Sequence, residues 1–470
     1  MKLSEVLQDN DVFRIDGDYF KKEYIANERT LKSLKWSYLQ KASNSIKSFG
    51  AYSLCNEIEY LDEGIPFLRG QNIKDGAVIF SDCLFINEEA NQLLWKSEVK
   101  PRMVLLTMSG SVGESAVALE EWRYPINSNQ DIAKITTAPN LNPFYMSAFL
   151  NCQFGKLQMR RLPVGSVQQH TFIWQLEKLI VPIPSDSFQV RIEKVFRAAH
   201  EGLKQSHNFY SEAESLLLDE LGLKGWQPSD ENIAIKAFSE SFGSAGRLDA
   251  EFYNPSDSRV VEQCKSYKLG WQTIGEIIES ITNGVESRVF VETGVPYIRV
   301  GDIKTLDIDS VNAQQIPRSE AEVLISKIRL KTGDVLTVRS GSIGQAAVVK
   351  EKDLESIVSS HLIRLRLKPD SPIRSTPLAL FLSTTPGVRQ IMMHSNGAVV
   401  PEISQPSLTQ VVIPIIQEEC QNALESLIAA SDHAREESKR LLDIAKRGVE
   451  VAIEQDEVAA TRWLDERLKG

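Results

Sequence analysis

Apolar residues along this chain fall into two kinds of run, and the alternation happens twice. Short runs bounded by turn signals come first, as in Val104-Leu-Leu-Thr-Met108 before Ser109-Gly110 and Asp334-Val-Leu-Thr-Val338 before Ser340-Gly341. They predict β-strands punctuated by glycine turns, with some helix such as Pro143 to Leu150 and Pro377 to Leu382. After Val181-Pro-Ile-Pro184 the period becomes helical. Ile192, Phe196, Ala199, Leu203, Ser206, Tyr210, Ala213 and Leu217 follow in alternating steps of four and three, a heptad seam with one polar slot. Asp186 with Gln189 three residues later predicts a capping box. A helix from about residue 187 to 220 spans on the order of 50 Å. After Ile413-Pro-Ile-Ile416, Glu418 and Glu419 favour a second helix start. Its seam is Leu424, Ile428, Ser431, Arg435, Ser438, Leu442, Ala445 and Val449, weaker in the middle. Neither helix is apolar all round, so each needs a partner for one stripe, and the other long helix is the obvious one.

The alternation is a duplication. Arg14-Ile-Asp-Gly-Asp-Tyr-Phe20 returns 233 positions on as Arg247-Leu-Asp-Ala-Glu-Phe-Tyr253. Gly64-Ile-Pro-Phe-Leu-Arg-Gly-Gln-Asn-Ile-Lys74 returns 230 on as Gly294-Val-Pro-Tyr-Ile-Arg-Val-Gly-Asp-Ile-Lys304. Met108-Ser-Gly-Ser-Val-Gly113 returns 231 on as Arg339-Ser-Gly-Ser-Ile-Gly344, and Val181-Pro-Ile-Pro184 returns 232 on. Four matches in one order at nearly one offset are not chance, and a period of about half the chain makes each copy a whole domain with an appendage. The expected organisation is a first domain over 1–185, a long helix over 186–222, a linker over 223–246, a second domain over 247–416, and a C-terminal helix and tail over 417–470. A fainter echo links Leu218-Asp219-Glu220 to Leu464-Asp465-Glu466.

Composition narrows the class without naming a function. The 470 residues are 42% hydrophobic and 25% charged, enough for sizeable cores. Five scattered cysteines offer no CxxC spacing and no disulfide framework, so a reducing, cytoplasmic setting is expected. The Met1-Lys-Leu-Ser-Glu-Val start lacks a signal-peptide core, and no stretch reaches membrane-spanning length. A net charge of −10 argues against a large nonspecific nucleic-acid surface, but specific DNA binding depends on where the cations sit.

Taken in order, the strand-rich domain, Pro-Ile-Pro, long helix, Arg-Leu-Asp-Ala-Glu-Phe-Tyr, second strand-rich domain, Pro-Ile-Ile and long helix resemble the specificity subunit of Type I restriction–modification enzymes. The resemblance covers nearly the whole chain, and its strength lies in the duplicated series. It implies an α/β (α+β) fold class: two similar target recognition domains joined by two long antiparallel coiled-coil helices, with an internal pseudo-two-fold repeat. It also implies a non-catalytic subunit that reads double-stranded DNA, one half of a bipartite asymmetric target per domain. The paired helices would fix the unread spacer and dock the methylation subunits, two of them in expectation, with restriction subunits joining afterwards. No cofactor is expected in this chain; S-adenosylmethionine would sit on the methylation subunits. Independently of the resemblance, two reading domains need rigid spacing of about one DNA turn, and a helical pair is stiff enough to impose it.

Each candidate contact has a plain alternative. The loops Ser109–Gly113 and Ser340–Gly344 present amides and the hydroxyls of Ser109, Ser111 and Ser342 to phosphate, or they are tight turns that need positive φ at glycine. Arg69, Lys74, Arg299, Lys304 and Arg339 are candidate phosphate contacts, and Gln71 and Asn72 candidate partners of adenine edges. The alternative there is solvated charge or an internal salt bridge, with Asp16 and Asp249 as possible partners. Arg69 and Arg299 are kept in both copies, which suits a shared scaffold; base readers belong where the copies differ. Val164-Gly-Ser-Val-Gln-Gln-His170 faces Asn396-Gly-Ala-Val-Val-Pro-Glu402 in the alignment, so Gln168, Gln169, His170 and Glu402 are the candidate base readers. Lys156, Arg160, Arg161 and Arg389, just upstream, are candidate phosphate contacts, and a partnerless surface loop is the alternative. Gln130 aligns with His361, for which a structural role is equally open.

Catalytic and metal signatures are missing from the sequence. The six histidines show no HExxH or cysteine pairing. There is no Asn/Asp-Pro-Pro-Tyr/Phe segment for amino-group methylation, no glycine-rich cofactor loop, no P-loop and no GxSxG elbow. Two competing accounts remain: a helical protein-interaction scaffold without DNA readout, and a methyltransferase fused to its recognition modules, which the missing segments oppose.

Overall fold

Strand formation in this protein is driven by short β-branched and aromatic runs that bury one after another, and the computed structural model shows them assembled twice. It describes residues 14, 16–48, 58–80, 83–163, 170–227, 233–304, 306–397 and 400–469. Two compact units divide it, one from Lys204 backward plus Ala434 onward, the other from Gln205 to His433.

In the first unit β1 (Trp36–Tyr38) pairs with β11 (Ile180–Pro182). β2 (Ser43–Lys47), β7 (Val104–Thr107), β8 (Ser115–Val117) and β10 (Ile132–Thr137) form a four-stranded sheet in the order β2-β10-β7-β8. β3 (Ile65–Leu68), β6 (Leu84–Ile86) and β9 (Asn127–Ser128) form a three-stranded sheet in the order β6-β3-β9, and β4 (Ile73–Lys74) and β5 (Ala77–Val78) make a small pair. β7 and β8 are buried at every position, so they read as continuous apolar runs with no alternation. Helix α1 (Lys22–Lys32) and the consecutive helices α2 (Pro143–Asn151) and α3 (Gln153–Arg161) cover the sheet, and α2 is buried along its whole length.

The second unit has the same strand order. β12 (Trp271–Thr273) pairs with β20 (Val412–Pro414). β13 (Ile278–Asn283), β16 (Val335–Val338), β17 (Ala346–Val348) and β19 (Leu362–Leu367) run β13-β19-β16-β17. β14 (Val295–Ile298), β15 (Gln314–Ile316) and β18 (Ile357–Val358) run β15-β14-β18. The registers agree as well: Ile132 opposes Thr107 in one unit, and Leu362 opposes Val338 in the other. Here α5 (Pro255–Lys265), α6 (Ser375–Ser383) and α7 (Thr385–His394) stand where α1, α2 and α3 stand in the first unit.

The long helices are α4 (Asp186–Glu220) and α8 (Glu418–Glu454), followed by α9 (Glu457–Leu468). Each contributes one portion to each unit. In the first unit Ile192, Phe196 and Leu442 are buried in a core that also holds Phe144, Phe149 and Val181, and Gly202 lies against Ala434 and Ser438. In the second, Leu217, Leu424 and Ile428 are buried with Leu380, Phe381 and Ile413. Ser206 and Ser431, the polar slots of the two seams, meet there: the Ser431 hydroxyl donates to the Ser206 carbonyl at 2.8 Å, and the two hydroxyls are 3.0 Å apart. Leu203 and Tyr210, expected in the seam, are only half-buried. Among the described residues no helix is long and apolar enough to cross a membrane.

Gln189 corrects the capping-box expectation. Its side chain never turns back to Asp186; it is 2% exposed, accepts from the Asn142 N–H at 2.7 Å, and donates to the carbonyls of Pro184 and Asn140. Gln421 repeats this in the second unit, accepting from the Arg374 N–H and donating to the carbonyls of Pro372 and Ile416, all at 2.9 Å. A buried glutamine thus ties the start of each long helix to the loop that opens the neighbouring core helix.

His200 on α4 is 9% exposed beside the Phe196 ring, and burial followed by the nearby Arg197 charge pushes its pKa down to about 4. An imidazole held neutral in the fold but protonated below about 6.5 when unfolded supports stability above pH 6.5 and loses it as pH falls toward 4. Replacing His200 with leucine should therefore flatten the acid destabilisation of wild type between pH 6.5 and 4 by up to ~3 kcal/mol. Paired urea melts at pH 7.5 and 4.5 measure this; equal slopes for both proteins would contradict it.

Candidate nucleic-acid interface

Three segments converge in each unit. The turn after β7 holds Gly110 at φ 70° and Gly113 at φ 90°; its counterpart after β16 holds Gly341 at 94° and Gly344 at 101°. A Cβ on Gly113 would meet Met159 at 2.9 Å and one on Gly344 would meet Val388 at 2.4 Å, so both turns pack down on α3 or α7. The tight-turn requirement is therefore real, while Ser111 and Ser342 at the turn tips stay exposed. The second segment precedes β10 or β19: Met108 N–H donates to the Asp131 carbonyl at 2.7 Å, and Arg339 N–H to the His361 carbonyl at 2.8 Å. The third follows α3 or α7. Thr171 N–H donates to the Met108 carbonyl and Ile403 N–H to the Arg339 carbonyl, each at 2.9 Å, with β-bridges from Ser109 to His170 and from Ser340 to Glu402.

One backbone frame therefore carries different side chains in the two units. Buried Met108 stands opposite half-exposed Arg339, half-buried Asp131 opposite exposed His361, and His170 opposite Glu402; the sequence alignment of Gln130 with His361 is one residue out of step, since Gln130 falls opposite Ser360. His170 packs edge-on against the exposed Phe172 ring at 4.9 Å. Glu402 pairs with the Arg339 guanidinium, and Asn396 and Glu402 exchange two 2.8 Å backbone bonds that close the base of their loop. Gln168 and Gln169 lie outside the described residues.

The repeated Arg-x-Asp pair explains how that third segment is anchored. Arg14 pairs with Asp16 and donates to the carbonyls of Arg161 and Pro163; Arg247 pairs with Asp249 and donates to those of His394 and Ser395. In both units the guanidinium caps the orphan carbonyls at the end of α3 or α7, where the third segment begins. Each arginine holds its aspartate below the usual carboxylate range by hydrogen bonding. Asp16 and Asp249 thus pair with Arg14 and Arg247; duplication marks these residues in the sequence, but only the tertiary contacts give their partners.

Several expected contacts are instead part of the fold. Asn72 is fully buried: its side chain accepts from the Arg69 N–H at 2.8 Å and donates to the Ile79 carbonyl, so it caps a 3₁₀ turn and presents nothing to a base. Asp302 caps the Arg299 N–H in the same way, which is why Arg-x-x-Asn/Asp recurs. Arg161 is committed to Glu28 and the Tyr19 carbonyl, Lys156 to Glu114 and the Gly113 carbonyl, and Arg389 to buried Asp257. These cations hold helices and turns in place. Lys304 bends onto the Gly301 carbonyl but remains exposed, as do Gln71, Lys74 and Arg160. Gly70, next to Gln71, lies 3.6 Å from the Ser109 carbonyl by the measure of an added Cβ, which puts Gln71 beside the first turn.

Neither the family models nor the curated proteins compared with this chain give a match. Solved structures similar to it include the Type I restriction–modification system S subunit from M. genitalium, 12% identical with a TM-score of 0.38 over 90% of this chain and 96% of that one. The HsdS subunit from Thermoanaerobacter tengcongensis is 14% identical, with a TM-score of 0.29 over 90% and 97%. A chain from a structure concerned with complex assembly and conformational transition of the type I R-M system is 13% identical, with a TM-score of 0.28 over 93% and 97%. At TM-scores below 0.5 these likenesses carry no argument.

What remains is the chemistry of the two frames. Hydroxyl, amide, imidazole, carboxylate and guanidinium groups at a turn tip are hydrogen-bonding equipment for recognition. Among the described residues no group of three histidine, cysteine or acidic side chains is placed to hold a metal. The buried thiols of Cys152 and Cys264 are pushed up to about 12 by burial, which makes them poor nucleophiles.

Proposed function

We propose that this chain is the DNA sequence-recognition subunit of a Type I restriction–modification complex, non-catalytic itself and working in the cytoplasm. Each unit reads one half of a bipartite asymmetric target, and the long helices act as an antiparallel coiled-coil ruler that docks two methylation subunits, with restriction subunits joining them. S-adenosylmethionine belongs to the methylation subunits. One observation carries the reading: the same backbone frame bears Met108, Asp131 and His170 in one unit and Arg339, His361 and Glu402 in the other. Two copies that differ at these positions on one scaffold are what reading two unlike half-sites requires. Exposed Ile233, Ile235 and Phe238 in the linker favour the protein-docking part of the proposal, since such apolar groups are usually covered in an assembly.

The expected result is a single split methylation motif, unequal in its two halves, present in cells carrying this gene with its methylation partner and lost on deletion. Genome-wide mapping of methylated adenines measures it. A continuous palindromic motif, or an unchanged methylome, would overturn the proposal; partner binding without any motif would favour the interaction-scaffold reading.

A further inference from the structure

Resting on that reading, we infer that Arg339, steered by Glu402, is a specificity-determining residue that reads a guanine in the half-site of the second unit. Its backbone is pinned on both sides, the N–H donating to the His361 carbonyl and the carbonyl accepting from Ile403. Its side chain is pinned as well: Nη2 donates to the Glu402 carboxylate and Nη1 to the Ser360 carbonyl at 3.4 Å. The arginine is 30% and the glutamate 50% exposed, so the pair sits at the surface without being loose in solvent.

A carboxylate beside the arginine decides between the two uses of such a group. Phosphate is drawn by uncompensated positive charge, and Glu402 cancels much of that attraction. Guanine is neutral and offers two acceptors, O6 and N7, on one edge; a planar fork held in a fixed orientation matches them. Two of the five guanidinium N–H groups are spent on orientation, which leaves donors for the base. A carboxylate is also the acceptor that the amino group of the paired cytosine calls for, so the two side-chain types suit one G·C pair. The first unit has no such device, because Met108 occupies the equivalent backbone position and is buried. The assignment thus changes Arg339 from a phosphate contact to a base reader and makes Glu402 its positioning residue.

The test uses the full chain expressed with its methylation subunits and reads the methylated motif by genome sequencing. Arg339→Met carries the residue the first unit tolerates on the same backbone; Arg339→Lys keeps charge but loses the fork; Glu402→Gln removes the steering charge. The expected outcome is a guanine in one half-site whose preference falls 10- to 100-fold in Arg339→Met, the range of one good bidentate contact. Arg339→Lys recovers methylation only in part, Glu402→Gln weakens the same position less, and the other half-site is untouched in all three. Loss of methylation spread evenly over sequences would make Arg339 a phosphate contact, and an unchanged motif would make it structural; either overturns the inference while leaving the DNA-reading proposal intact. A wild-type complex with no motif at all overturns the proposal itself and the inference with it. Thermal melts showing folded variants accompany each motif, and Glu402→Gln serves if Arg339→Met does not fold.

Discussion

Gly387→Ala should unfold the second unit or lower its stability by at least ~3 kcal/mol, a drop of roughly 6–12 °C in melting temperature for a unit of this size. The glycine sits in the first turn of α7, where the chain leaves α6, and a Cβ there would lie 2.0 Å from the Phe381 carbonyl oxygen and 2.9 Å from Leu382 Cα. Both obstacles are backbone, and the Phe381 carbonyl is already held by the Thr384 hydroxyl at 2.7 Å, so no rotamer change relieves the clash. Gly155 meets the Phe149 carbonyl at 2.2 Å in the first unit, and Gly155→Ala should do the same there. Gly301→Ala, with nothing within 4 Å of its Cβ, is the control and should stay within ~0.5 kcal/mol of wild type. A melting curve for Gly387→Ala that overlays the control would show that α6 and α7 separate more readily than their contact implies.

Gln421→Ala should cost about 3 kcal/mol, because one side chain satisfies three backbone groups that are then left without partners: the Arg374 N–H and the carbonyls of Pro372 and Ile416. The residue is 4% exposed, so water does not replace the amide readily. Gln421→Glu keeps the acceptor for Arg374 but loses both donors, and should fall between alanine and wild type or below alanine where the buried charge dominates; Gln189→Ala should reproduce the loss in the first unit. Urea midpoints of each unit's transition measure the effect. A loss below ~1 kcal/mol for both alanine variants would mean that the loops before α2 and α6 relax to pair their own backbone groups.

The two predictions rest on residues that the chain displays twice, and this is where reading the sequence succeeded and where it stopped. The apolar runs at 104–108 and 334–338 gave their strands because continuous burial leaves few other choices for such short β-branched segments. The heptad steps from Ile192 and from Leu424 gave the long helices because a stripe repeats at 3.5 residues whatever it packs on. Periodicity does not say which neighbour covers each stripe position, so Leu203 and Tyr210 looked equivalent to Ile192 and Leu217 although they are only half-buried.

Polar residues were the harder case, since their partners are distant in sequence. Asn72 looked like a base reader and proves to cap its own turn; Gln189 looked like a helix cap and proves to tie down a loop 47 residues away. Arg161 and Arg389 looked like phosphate contacts and are spent on Glu28 and Asp257.

By itself, then, the sequence determined the duplication, the strand-then-helix order of each copy and the positions where the copies differ, because periodicity and offset are properties of the chain. Only the tertiary structure decided that Met108, Asp131 and His170 share one frame, and Arg339, His361 and Glu402 its twin. That convergence depends on backbone bonds between residues 22 to 64 positions apart, whose geometry no local pattern encodes.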